Sequence, residues 1–386
     1  MQAAFHRARV SPNKVTGLPP AVDDELFWGA RCQCAAYDRR CYRAIPTAGP
    51  CSPFSKARNF MVIVTASDNN FVPGLFLFIF SAWLHNREAK FVVIDAGIEP
   101  ASVMELRRFR DRNGIDCQLV QADGKRISDL PTRGKLLTTA AYARILIPEI
   151  LPDCDKAIYL DADTLVVSDL GALWLADLGD NLVAGVVDGF VEQEELDDIE
   201  MSRNEYINSG VLVMNLVAWR REGIADRVFA TVRETAKSRY LDQTALNTVV
   251  RGRVLFLGRE WNFFSERHVE IERRLPKVIH YAGSAKPWRY RRVPFADVFN
   301  FYRTLSGLDI PEGTLLLKSA RRRKMILGLI GLRRKYWSSA LATYYYRRRF
   351  TKPHLRSLGK MFSKVPLPPQ HSTAVRERDA QLPTFS

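Results

Sequence analysis

From residue 60 to about residue 290, short β-rich apolar runs alternate with longer amphipathic stretches. Met61–Ala66 reads as a first strand that ends in Ser67-Asp68-Asn69-Asn70, and Pro73 opens a strongly apolar helix through about Leu84. Phe91–Ile94 is a second strand, and Pro100 opens a helix with Val103, Leu106 and Phe109 on one side. Cys117–Val120 is a third strand, and a helix carrying Tyr142 and Arg144 follows. Leu182–Val187 resumes the sheet and ends at Asp188, and the acidic, polar residues 190 to 206 read as a surface loop or lid. Beyond them come Tyr206–Asn215, a helix from about Val217, another opening at Tyr240–Asn247, and strand-like pieces at Val254–Leu257 and Trp261–Phe264. Lys277–Trp288 closes the pattern. Strands that alternate with helices predict βαβ units, hence an α/β domain with a largely parallel central sheet.

One run stands apart in this series. Ala157–Leu160 is short, apolar and not alternating, which predicts a strand buried on both faces, with Leu165–Val167 continuing it. It delivers Asp161 and Asp163 to its carboxyl end, where open α/β sheets bind ligands. Two acids at that spacing can share a divalent cation and the phosphates it holds, whereas like charges buried together without one raise each other's pKa. A solvated strand-end turn is the alternative for an Asp-x-Asp seen alone.

The flanks read differently. Residues 1–58 lack periodicity and hold Cys32, Cys34, Cys41 and Cys51, whose spacing fits Cys-x-x-Cys zinc knuckles poorly, so we expect a poorly structured extension. Met61 stands directly before the first strand and offers an alternative start of the protein. The first thirty residues lack an apolar core behind their basic residues, and six cysteines in 386 residues make no disulfide scaffold. A reducing, cytoplasmic setting is therefore expected. The longest apolar run, Leu75–Phe80 with Ala82–Leu84, is far short of the roughly 20 residues that cross a bilayer.

The net charge of +15 is localised. Of 57 Lys and Arg, fifteen fall between Lys318 and Lys364 with no acid among them, which leaves the rest with 42 of each sign. Basic clusters at Arg321–Lys324, Arg333–Lys335 and Arg347–Arg349 alternate with the apolar run Met325–Leu332, Tyr336-Trp337 and Tyr344–Tyr346. A purely electrostatic tail has no need of these apolar residues, so residues 306–365 read as a basic amphipathic region for an anionic membrane surface, contacted through residues 318–364. Nucleic acid is not the expected partner. From residue 366 to 386 the composition predicts disorder.

The ordered set Asp68/Asn70, Asp161-Ala-Asp163, Asn208-Ser-Gly210, Asp242-Gln243 and His280-Tyr-Ala-Gly-Ser-Ala-Lys-Pro-Trp288 resembles the retaining glycosyltransferases of family 8, above all the bacterial lipopolysaccharide galactosyl- and glucosyltransferases. The resemblance implies a single GT-A type nucleotide-sugar domain over about residues 59–305. It implies Mn²⁺-dependent transfer (Mg²⁺ is the alternative) from UDP-galactose or UDP-glucose to lipopolysaccharide, or to another glycan or lipid-linked glycan. Such an acceptor makes the location read from the basic tail useful: cytoplasmic, peripheral on the inner face of the cytoplasmic membrane.

By the same resemblance, Asp161, Asp163 and His280 hold the metal, and Gly283 and Lys286 meet the diphosphate. Asp68, Asn70 and Phe71 contact the nucleoside; Phe71 stands where many relatives have Tyr, which keeps stacking and loses a hydroxyl. Arg144, Ala162, Asn208, Asp242 and Gln243 surround the donor sugar; Asp242 and Gln243 are the catalytic residues, with Gln243 supporting the oxocarbenium-like centre electrostatically. No unassigned carboxylate stands out as a nucleophile, which favours attack on the face that the phosphate leaves. Two other readings share the Asp161-Ala-Asp163 stretch. One is a haloacid-dehalogenase-like phosphatase, in which the motif usually opens the domain; the other is a non-catalytic sugar-binding protein on the same fold.

Overall fold

The computed structural model describes residues 60–132, 139–235, 238–264, 275–290, 293–314 and 346–362. The expected extension at residues 1–58 with its four cysteines, the basic and apolar clusters from 321 to 337, and the tail from 366 lie outside the described residues.

The first half is three βα units and their continuation: β1 (Val62–Ser67), α1 (Val72–His85), β2 (Lys90–Asp95), α2 (Pro100–Asn113), β3 (Cys117–Gln121), α3 (Gly124–Ile127) and α4 (Ile147–Ile150). The central part holds β4 (Lys156–Leu160), β5 (Thr164–Val166), α5 (Gly171–Trp174), β6 (Val183–Val187), α6 (Gln193–Asp198) and β7 (Ile207–Asn215). Then come α7 (Leu216–Arg221), α8 (Ile224–Glu234), α9 (Asp242–Val250), β8 (Val254–Phe256), β9 (Phe263–Phe264), β10 (Val278–His280), α10 (Ala296–Ser306) and α11 (Lys352–Phe362).

Seven strands form one sheet in the order β3-β2-β1-β4-β7-β6-β8. β3, β2, β1 and β4 run parallel, β7 is antiparallel to both of its neighbours, and β6 pairs parallel with β8. Strand residues alternate between two cores: Ile63, Ile158 and Leu160 face one, Val62, Val64, Ala157 and Tyr159 the other. This is the two-sided burial that the unbroken apolar runs require. Helix α1 is apolar nearly all round because it is enclosed by the sheet, β5 and α10.

Two local expectations are corrected. Leu165–Val167 does not prolong β4. The amide and hydroxyl of Thr164 both donate to the Asp161 carbonyl, at 3.0 and 2.8 Å, and turn the chain back on itself. β5 then joins a second, three-stranded sheet, β5-β10-β9, in which Thr164 pairs with His280. Residues 190–206 are more than a surface loop: they contain α6 and bury Val191, Leu196, Met201 and Tyr206 in a small core of their own. Glu195 is buried there because the Ser238 and Thr244 hydroxyls and the Arg239 amide (3.0 Å) all donate to it.

Within the expected amphipathic region, residues 346–358 turn an apolar face into the domain. Tyr346 lies 5.0 Å from Phe263 and 6.0 Å from Phe295 between ring centres, and Phe350 lies 6.0 Å from Phe295. With Leu358 they are core residues, so Tyr346 is not at headgroup depth. Arg347, Arg348, Lys352 and Arg356 remain exposed on the outer side.

A polar link fastens the same region. The Tyr302 hydroxyl lies 2.7 Å from His85 Nε2 and 3.1 Å from His354 Nε2, so its single proton serves one ring while the other ring donates to it. Burial pushes both imidazoles down to about 4; Asp169 opposes this at His85, and His85 adds to it at His354. An unfolded or undocked state therefore takes up more protons between about pH 6.5 and 4, and the contribution present above 6.5 is lost as pH falls through that window. After allowance for partial exposure we expect about 2 kcal/mol per histidine. The checks are hydrogen exchange of residues 346–362 and the thermal midpoint at pH 7.5 and 4.5. His354→Phe should flatten the pH dependence; an unchanged profile in that variant would place the sensitivity elsewhere.

Candidate active site

A cavity of about 500 Å³ opens at the carboxyl end of β1 and β4, where the chain leaves the sheet core. Phe71, Arg144, Asp161, Ala162, Asp163, Asn208, Asp242, Gln243, His280, Gly283 and Lys286 all line it, although they come from six separate segments. Asp68 and Asn70 are not among its lining residues. The Asp68 carboxylate instead caps the turn Asn69–Phe71, accepting from the Asn70 amide at 2.8 Å and its side chain at 3.2 Å. Short polar residues after a strand commonly serve this way, and a sequence cannot separate that role from ligand contact.

Asp161, Asp163 and His280 each offer a ligand atom within 4.8 Å of the others. The turn at Thr164 sets the two acids, and the pairing of β5 with β10 delivers His280 beside them. His280 Nε2 lies 3.2 Å from Asp163 Oδ1 and 3.7 Å from Asp161 Oδ2. Asp163 Oδ1 is buried and accepts no hydrogen bond. Gly210 faces the same cleft: a Cβ there would stand 2.4 Å from His280 Cε1 and 2.6 Å from Asp161 Oδ2. An unpartnered carboxylate oxygen, an imidazole nitrogen and a wall kept clear of side chain fit a divalent cation.

Buried cations balance the acids. Lys286 Nζ donates to Asp163 and, at 2.7 Å, to the Tyr281 carbonyl. Burial alone would raise the Asp163 carboxyl, but the adjacent Lys286 ammonium opposes it and the carboxyl is held below the carboxylate range. Arg144 reaches Asp161 Oδ1 at 3.2 Å and Asp242 Oδ2 at 3.4 Å, with its guanidinium 4.8 Å from the Tyr159 ring centre. Burial pushes Asp242 up to about 6; Arg144 opposes the rise and Asp161 adds to it.

Asp242 and Gln243 open α9 directly after Leu241, whose φ of 38° is left-handed for a branched side chain and sets the angle at which the helix enters the cavity. Gln243 Oε1 is fully engaged: it accepts from Asn208 Nδ2 at 3.0 Å, the Ser209 amide at 3.1 Å and the Ser209 hydroxyl at 3.3 Å. Its amide nitrogen donates to Asp188 Oδ2 at 3.3 Å.

Four further residues belong to this site. Tyr159 donates to Asp161 Oδ1 at 2.6 Å, Asp188 receives the Gln243 and Asn208 amides, and Phe264 stacks obliquely on His280 at 5.6 Å. Asn262 is hydrogen-bonded to both His280 and Asn208. Asp188 carried a readable signal, an acid at the end of a buried strand, as at Asp161. Asn262 carried none, since its partners depend on how β9 and β10 pair.

A family model described as glycosyl transferase family 8 matches residues 62–292. General stress protein A of Bacillus subtilis (strain 168) is 27% identical over 266 residues, which covers 63% of this chain and 92% of that protein. A lipopolysaccharide 1,2-glucosyltransferase of Escherichia coli (strain K12) is 25% identical over 241 residues, covering 57% and 70%. Among solved structures, the galactosyltransferase LgtC in complex with donor and acceptor sugar analogs superimposes with a TM-score of 0.57 at 29% identity, covering 68% of this chain and 100% of that one.

Proposed function

The chain belongs to glycosyltransferase family 8 and has the GT-A fold, and on that premise we propose that it is a metal-dependent, retaining hexosyltransferase. It moves galactose or glucose from UDP to a saccharide acceptor, lipopolysaccharide or another cell-surface glycan. The observation that carries this reading is the cavity-lining cluster of Asp161, Asp163 and His280, with one buried carboxylate oxygen left without a donor.

Asp161, Asp163 and His280 would hold Mn²⁺ or Mg²⁺. A bound cation supplies positive charge at the diphosphate, where negative charge grows as the sugar–phosphate bond breaks. Lys286 adds a second cation, and Gly283, at φ 84°, presents backbone without side-chain bulk to the same phosphates. Phe71 stacks on uracil beneath Lys286, whose Nζ lies 5.3 Å from the ring centre. Arg144, Asn208 and Asp242 hold the sugar hydroxyls. Gln243 acts mainly as an organiser, because its carbonyl oxygen is engaged by Asn208 and Ser209. The departing phosphate oxygen takes the acceptor proton on the same face, which preserves the anomeric configuration.

Among the described residues no helix is long and apolar enough to cross a membrane. The exposed cations Arg347, Arg348, Lys352 and Arg356 suit peripheral attachment to the inner face of the cytoplasmic membrane, where anionic lipid attracts each with about 1 kcal/mol.

The test is a panel of UDP-sugars with the full chain, Mn²⁺ and a saccharide acceptor, read by UDP release. UDP-galactose or UDP-glucose should be consumed only with metal present. Release of inorganic phosphate from a simple phosphoester would point to a phosphatase instead, and metal-independent turnover would remove the cation from the mechanism.

A further inference from the structure

We propose that Asn262 is a positioning residue for the cation. It locks His280 in the tautomer that carries its proton on Nδ1 and aims a bare Nε2 at the metal. The inference rests on the reading of Asp161, Asp163 and His280 as the cation site and goes beyond it.

Two backbone groups that can only donate fix the orientation of the network. The Gly210 amide lies 3.0 Å from Asn208 Oδ1, so that end of the side chain is the oxygen. The Ser209 amide fixes Gln243 Oε1 in the same way at 3.1 Å, and Asn208 Nδ2 donates to that oxygen at 3.0 Å. Both anchors thus give Asn208 the same orientation. Asn262 presents its Nδ2 to Asn208 Oδ1 at 2.9 Å, which turns its own Oδ1 toward His280 Nδ1 at 2.8 Å. A carbonyl oxygen only accepts, so His280 Nδ1 must carry the hydrogen.

A neutral ring so held points the Nε2 lone pair at Asp163 Oδ1, 3.2 Å away, and Asp161 Oδ2, 3.7 Å away. A lone pair facing two carboxylates is repulsive unless a cation lies between them. The opposite tautomer would donate to Asp163 Oδ1 and close the cleft, and Asn262 excludes it. Asn262 and His280 are 2% and 3% exposed, so water does not compete for this bond. The turn Arg259–Trp261 and strand β9 hold Asn262 in place, and the pairing of Phe264 with His280 fixes its distance from the ring.

A residue that merely fills space would not set a tautomer, and this separates the two roles. In the full chain, metal-free and ¹⁵N-labelled at histidine, spectra are recorded at about pH 9, where imidazole is neutral. The wild type should show His280 protonated at Nδ1 and bare at Nε2, and in Asn262→Ala the proton should move to Nε2. Titration with Mn²⁺ alone, followed by electron paramagnetic resonance, should show about 10- to 100-fold weaker binding in Asn262→Ala. Mn²⁺ bound with unchanged affinity by the variant, or a variant ring still protonated at Nδ1, overturns the proposal. Should the variant not fold, the wild-type spectrum decides: an Nε2-protonated ring in a protein that binds Mn²⁺ overturns the positioning role alone. A wild type protonated at Nδ1 that binds no Mn²⁺ overturns the cation reading, and the role of Asn262 with it.

Discussion

Asp163→Asn is expected to abolish measurable transfer and also to lower stability, two effects that a second substitution can separate. Loss of one cation ligand removes several kcal/mol of charge stabilisation, about 10²- to 10³-fold in rate. Isosteric replacement would look harmless from sequence, since volume hardly changes. The structure adds a cost: Lys286 is 2% exposed and its ammonium donates to Asp163. Neutralising Asp163 leaves that ammonium buried without its counter-charge, a change that costs about 3–5 kcal/mol. The double variant Asp163→Asn with Lys286→Met removes both charges, so it should recover most of the thermal midpoint while remaining inactive. UDP release and thermal unfolding of the three proteins read the two effects independently. Transfer near wild-type rate in Asp163→Asn would sink the metal assignment, and a single variant as stable as wild type would show Lys286 to be compensated elsewhere.

What the sequence could and could not show follows the range of the interactions. β1 to β4 were readable because each is a short apolar run whose burial is decided locally, and the acids after β4 announce themselves at the strand end. β5 was not, since the same Thr-Leu-Val can extend a strand or cross into another sheet; the Thr164 turn decides it, together with a partner strand more than a hundred residues away. α6 was missed because acidic residues suggest solvent, whereas Glu195 is buried by hydroxyls from residues 238 and 244. The site shows the same division. Asp161, Asp163 and His280 form a pattern that the sequence offered as a metal site, and Arg144 was expected at the donor sugar, but its pairing with the acids was not readable. Its position between Asp161 and Asp242, each within 3.4 Å, exists only once β4 and α9 are brought together. For residues 346–358 the sequence could not show which surface their apolar side meets.

That last distinction changes how the tail must be tested. A chain ending at Gly313 is expected to be severely destabilised, not simply detached from membranes. It loses Tyr346, Phe350 and Leu358, which are 1%, 6% and 2% exposed, and uncovers Phe263 and Phe295 beneath them. Burial of each such side chain contributes about 1.5–3 kcal/mol, so the loss approaches the whole stability of a typical domain, about 5–15 kcal/mol. Newly exposed aromatic surface would also adhere to any vesicle, and sedimentation of this fragment would report on unfolding. Charge reversal in the full chain avoids the problem. Arg347→Glu, Arg348→Glu, Lys352→Glu and Arg356→Glu together leave the buried face untouched and remove about 4 kcal/mol of attraction to anionic lipid. The quadruple variant should keep its thermal midpoint within a few degrees and sediment far less with vesicles rich in anionic lipid, most clearly at low salt. A fragment ending at Gly313 that melts like the full chain would refute the docking of residues 346–358, whereas wild-type sedimentation by the quadruple variant would remove this cationic face from the membrane contact.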